Sequence, residues 1–217
     1  MRASNPPRIP LPPGLWRLRA FQRTVIDLND WLIPFVTVNF VWFVLSLSVV
    51  LLPPATVALA DTAYRAYKGQ TPDVREFLGA LRRWFITGWL WAGANLILLG
   101  VAAAAVVVLQ ENSFAIGFVG ALAALALMVQ FYTLPYLMLQ ERPNLILAWR
   151  NSLFTVLGDP LHLALNLGIV VLILVPALIL VAPILLIVPV GTALLSTHSL
   201  VVWLQHKGIL ASETSER

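Results

Sequence analysis

Uncharged tracts dominate the chain. Asp30 to Asp61 encloses 30 uncharged residues, Arg83 to Glu111 encloses 27, Glu111 to Glu141 encloses 29, and Asp159 to Lys207 encloses 47. A bilayer core takes about 20 apolar residues per helix. The first three tracts therefore each predict one span, and the fourth, interrupted near Pro176 and Pro183, predicts two. The expected spans are about 31–52, 85–109, 114–139, 160–181 and 184–205.

Between the spans the pattern changes to helical amphipathicity. Leu18, Phe21, Val25 and Leu28 share one face of residues 15–30, with Arg17, Arg19 and Arg23 elsewhere on the wheel. Thr71-Pro72-Asp73 reads as a helix start with the proline at the first helical position. Beyond it, Val74, Phe77, Leu78, Leu81 and Phe85 line one face and Arg75, Glu76, Arg82 and Arg83 another. A third such helix is expected over about 144–157. Each reads as an interfacial helix feeding a span. The order interfacial helix, span, tight turn, span thus occurs twice, over 71–139 and 143–205, as a weak internal repeat.

The fold class that follows is all-α, a polytopic transmembrane bundle of about five spans plus interfacial helices. Residues 15–206 form a single membrane domain, between a disordered proline-rich stretch at 1–14 and a polar tail at 207–217. Composition agrees: 59% of the 217 residues are hydrophobic and 11% charged, against roughly 25% charged in soluble domains. No cleavable signal is recognised at the N-terminus. Cysteine is absent, which excludes disulfides, thiolate zinc sites and cysteine nucleophiles. The net charge of +4 points to anionic headgroups rather than nucleic acid.

Lysine and arginine number five before residue 31, five over 53–84, none over 110–113, two over 140–159, none around 182–184 and two after 205. From residue 71 onward this places the two turns outside and the interfacial helices and C-terminus inside. Two topologies then fit the N-terminal part. Either Trp31–Leu52 crosses once and leaves five arginines outside, or residues 55–68 form a return leg after Pro53-Pro54 and all basic residues lie inside. The return leg is favoured, at the cost of taking Asp61 toward mid-bilayer, where a charge costs roughly 2.5–3.5 kcal/mol.

Candidate chemistry is sparse. Asp61 and Arg65 have the i, i+4 spacing of an ion pair, read either as an exposed helix pair or as a buried latch. Asn39, Asn95 and Asn166 are intramembrane amides, read first as hydrogen-bonding glue between helices. Arg17, Arg19, Arg23, Arg75, Arg82 and Arg83 form an expected inner-face basic collar that anchors to anionic lipid or docks a partner. His162, His198 and His206 lack the spacing and carboxylate partners of a metal site. Phosphate loops, GxSxG elbows and paired intramembrane aspartates are not present, so neither an enzyme nor a cofactor is expected.

The stretch LLPPATVALADTAYRAYKG followed by TPDVREFLGALRRWFITGWL resembles the YesL-like family of bacterial membrane proteins. The matching positions are Pro54, Ala55, Thr56, Ala58 and Leu59, then Phe77, Arg82, Arg83 and Trp84, within about residues 24–100. The resemblance implies a multi-pass protein of the bacterial cytoplasmic membrane, encoded near carbohydrate uptake or utilisation systems, and supplies no catalytic residue. A non-enzymatic accessory or scaffold is expected, with a membrane permease or a second copy as partner. The alternative is a small solute carrier with Asn95 and Asn166 facing a midplane cavity.

Overall fold

The computed structural model describes residues 13–180 and 187–210. Along them every regular element is helical. A 3-10 turn at Pro13–Leu18 leads into α1 (Arg19–Asp30), α2 (Leu32–Ser46), α3 (Leu52–Tyr67), α4 (Val74–Arg83), α5 (Phe85–Val108), α6 (Ser113–Leu139), α7 (Leu145–Gly158), α8 (Pro160–Leu180) and α9 (Val188–His206). Nearly all of the 1–14 stretch, the turn expected at 182–184 and most of the tail at 207–217 lie outside the described residues.

Two helices are long and apolar enough to cross a bilayer, α5 and α6, joined by a tight turn in which the Asn112 side chain accepts from the Ala115 N–H at 3.1 Å. Two further pairs qualify only as bent units: Trp16–Asp30 with α2 at 92°, and α7 with Pro160–Val175 of α8 at 100°. The described residues thus hold two spans, or up to four if each bent pair counts as one. The expected five is not reached, for two physical reasons.

The first is that the 31–52 tract is not one rod. α2 has 15 residues, about 22 Å at 1.5 Å per residue, and a turn at 47–51 passes the chain to α3. Pro53 and Pro54 sit in the first turn of α3, where their missing N–H groups cost no helical bond. Gly69, at φ +78°, closes the helix with its N–H on the Ala66 carbonyl at 2.8 Å.

α3 packs against α2, α4, α5, α6 and α9, and its alanines 55, 58, 60, 63 and 66 are all buried. Small side chains let those neighbours come close. Pro54 touches Gly88 while Asp61 reaches Arg83, so α3 runs opposite to the start of α5. Asp61 therefore lies level with the α4–α5 joint, where Arg65 and Arg83 meet its charge. The turn feeding α3 sits near the start of α5, far short of its end at Val108.

The second reason is α9. With Ser196, Thr197, His198 and Ser199 in succession it is not apolar enough to count as a span, and it is the buried axis of the bundle, every residue from Leu194 to Leu204 being buried. Trp16 stacks on His206, Asp27 bonds His198 and Leu28 lies by Gly191, so α1 runs antiparallel along α9. Burying Ala20 and Thr24 there, α1 is a packed element and not only an interfacial one. The α4 start also differs from expectation: Asp73 is the N-cap residue and Pro72 precedes the helix.

Candidate functional site

Asp61 is the hub of a charged cluster where α3 meets α4. One of its oxygens, Oδ2, accepts from Arg65 Nε at 2.9 Å and from Arg83 at 2.9 Å, and Arg65 also reaches Glu76 at 2.6 Å. The Asp61 side chain is 11% exposed, so charge-assisted bonds replace most of its hydration. The i, i+4 pair is thus part of a four-residue network linking two helices, and Arg83 additionally lies over the Trp84 ring.

A second polar group surrounds α9. His198 Nε2 bonds Asp27 of α1 at 2.7 Å, with the Tyr67 ring edge-on to the imidazole. One residue on, Ser199 Oγ meets His162 Nε2 at 3.0 Å and Tyr132 Oη at 2.8 Å. Asn166 is fully buried, its Nδ2 donating to the His162 carbonyl at 2.7 Å. Trp16 fills the space between His162 and His206, with ring centroids 5.0 and 3.9 Å away.

At the sharp corner between α7 and α8, Asp159 caps α8 by accepting the His162 N–H at 3.0 Å, and binds Arg17 at 3.1 Å. Burial pushes the Asp159 carboxyl up, but the His162 N–H and the Arg17 guanidinium outweigh it and hold the group below its ordinary range. These contacts tie α1, α3, α6, α8 and α9 together. Each carboxylate faces a cation or N–H, and the Ser199–His162 pair has no acid at the second imidazole nitrogen. The arrangement suits structural coupling better than nucleophilic chemistry.

A cavity of about 760 Å³ lies between α5, α6 and α7. Its polar end is set by Gln130, whose Oε1 accepts from the indoles of Trp91 at 2.9 Å and Trp149 at 3.3 Å. Asn95 lines it too, its Nδ2 turned back to the Trp91 carbonyl at 2.7 Å. Arg150 of α7 also lines the cavity, and Ile97, Leu98, Val101, Leu122 and Leu125 form apolar walls running toward the 109–112 turn. Asn95 and Asn166 therefore do not share a cavity. Asn39 is buried in α2 and does not line the cavity.

The expected collar divides by role. Arg17 and Arg83 are engaged by Asp159 and Asp61. Arg23 is half-buried, and Arg19, Arg75 and Arg82 are exposed. Sequence reasoning missed the roles of Trp149 and Arg150, because α7 reads as one more amphipathic helix until its neighbours are known. Gln130 has its two indole partners 39 and 19 positions away, so nothing in the sequence pairs them.

Two helices of membrane-spanning length on an all-helical bundle define an integral membrane protein. Comparison with family models, with curated proteins and with solved structures returns no match to this chain.

Proposed function

We propose that this is a non-enzymatic accessory or scaffold protein of the bacterial cytoplasmic membrane, multi-pass with its C-terminus cytoplasmic, serving a carbohydrate uptake or utilisation system. The observation that carries the reading is the state of α5 and α6. None of the most apolar 18-residue window of α5, and 6% of that of α6, is buried within the chain. A hairpin standing so clear of its own bundle offers two long faces to another membrane protein's helices. Along them Gly93, Gly100, Gly117 and Gly120 have nothing within 4 Å of an added Cβ, which leaves room for close helix approach.

The polar inventory supports the same reading, since the buried charges bond one another instead of lining a path for a coupling ion. Arg19, Arg75 and Arg82 are left to meet anionic headgroups or an acidic partner surface, each at about 1 kcal/mol. The carbohydrate connection rests on the resemblance of residues 24–100 alone. Affinity isolation in mild detergent tests the proposal: co-purification with a permease, or with a second copy, is expected. A chain that is always recovered alone, yet moves sugar in liposomes, overturns it. Such transport is the second reading, and Asn95→Leu would then lower uptake without lowering stability.

A further inference from the structure

The cavity between α5, α6 and α7 has one polar end and one apolar end, and its polar residues include two donors without a partner among the described residues. Both indoles can only donate, so the Gln130 amide must present Oε1 to them. That fixes its Nε2 outward with no partner among the described residues. Arg150 lines the same space, is exposed, and likewise has no ion-pair or hydrogen-bond partner among the described residues. No acidic side chain lines the cavity. A guanidinium and an amide N–H that line one cavity without an acid are a recognition pair for a phosphate or carboxylate oxygen.

The remainder of the wall fixes the rest of the ligand. From Ala94 to Val101 the cavity follows α5 for about 10 Å at 1.5 Å per residue, past Leu98 and against Leu122, Leu125 and Ala126 of α6. A sugar placed there would set its hydroxyls against hydrocarbon, at a cost of roughly 1–3 kcal/mol for each unpaired group. A hydrocarbon chain loses nothing. The volume of about 760 Å³ falls within the 300–1,000 Å³ typical of ligand pockets, and the cavity opens between helices whose outer faces meet lipid.

We infer that this cavity is a binding site for an anionic phospholipid of the surrounding bilayer, with the phosphate held by Arg150 and Gln130 Nε2 and an acyl chain laid along α5 and α6 toward Val101 and Leu122. The zwitterionic phospholipids fit less well, because no carboxylate is present to receive their ammonium group. The site is independent of the scaffold reading and stands whether or not a protein partner exists.

Native mass spectrometry of the full-length protein, purified in mild detergent and supplied with phosphatidylglycerol or phosphatidylcholine, tests it. One phosphatidylglycerol per chain should be retained, about tenfold more strongly than phosphatidylcholine, one charge-assisted contact being worth roughly that factor. Arg150→Gln, an exposed position that should fold normally, should abolish the preference, while Arg82→Gln should leave it intact. Ala126→Trp, which fills the apolar part, should lower retention of both lipids. Equal retention by Arg150→Gln and the parent chain would overturn the site. So would equal retention of the two lipids by the parent, or displacement of the lipid by inorganic phosphate, which would mark a soluble anion as the occupant.

Discussion

Gly88 meets Pro54 backbone to backbone: a Cβ on Gly88 would stand 2.6 Å from the Pro54 Cα and 2.7 Å from its nitrogen. Neither atom can swing aside as a side chain would. Gly88→Ala is therefore expected to separate α3 from α5 and to destabilise the protein by about 1–3 kcal/mol. Gly93→Ala, in the same helix with open space around it, should be neutral or gain up to about 1 kcal/mol from helix propensity. Unfolding midpoints of the two variants in detergent decide the matter; equal midpoints would mean that the close approach does not exist.

Asp61→Asn leaves two arginines facing a neutral amide. A loss of about 1–3 kcal/mol is expected, as for a buried charge-assisted network that loses its acceptor. Arg83→Gln alone should cost less than about 1 kcal/mol, since its side chain is 51% exposed and well solvated. Combined, the two changes should cost less than their sum, because each removes the same bond. Strict additivity would place the two groups out of contact.

The Asp159 carboxyl is held below its unfolded value, so it adds stability at pH values above an ordinary aspartate pKa of about 3.9. That stability should fade as the pH falls from about 4 through the lower folded value. Melting profiles of the parent and of Asp159→Asn should differ at pH 7 and converge toward pH 3. A gap that persists undiminished at pH 3 would mean that the carboxylate charge contributes nothing.

The proposed topology, with all basic segments on one side, is checked by cysteines placed singly at Ser4→Cys and Ser212→Cys. Both should react with an impermeant thiol reagent only after the cytoplasmic face is opened. Labelling from opposite sides would require α2 and α3 to make one crossing together and would remove the return leg.

How much of this was written in the chain differs from element to element. The α5–α6 hairpin was legible to within a residue, since a charge-free tract, a polar turn and a second tract leave one solution. The Asp61–Arg65 pair was legible from spacing, but Arg83 lies 22 positions away and joins only once α3 folds back beside α5. Hydropathy could not mark α9 as the buried axis, because 47 uncharged residues show only that two apolar helices fit. The run Ser196-Thr197-His198-Ser199 in its middle was the contrary signal, as four polar groups in succession need protein partners on every side. α2 was misread as a full span because Ser46 and Ser48 interrupt the apolar tract too mildly to register, although the chain turns just there.

The clasp of α1 along α9 joins the first α-helix among the described residues to the last. While synthesis proceeds, Ala20, Thr24 and Asp27 have nothing to close upon until Val188–His206 has been made. The nascent polypeptide must hold its opening segment in waiting, and a product cut short before Val188 keeps both transmembrane rods yet forfeits the axis around which everything else is arranged. The making of α9 is therefore a condition for α1 to settle.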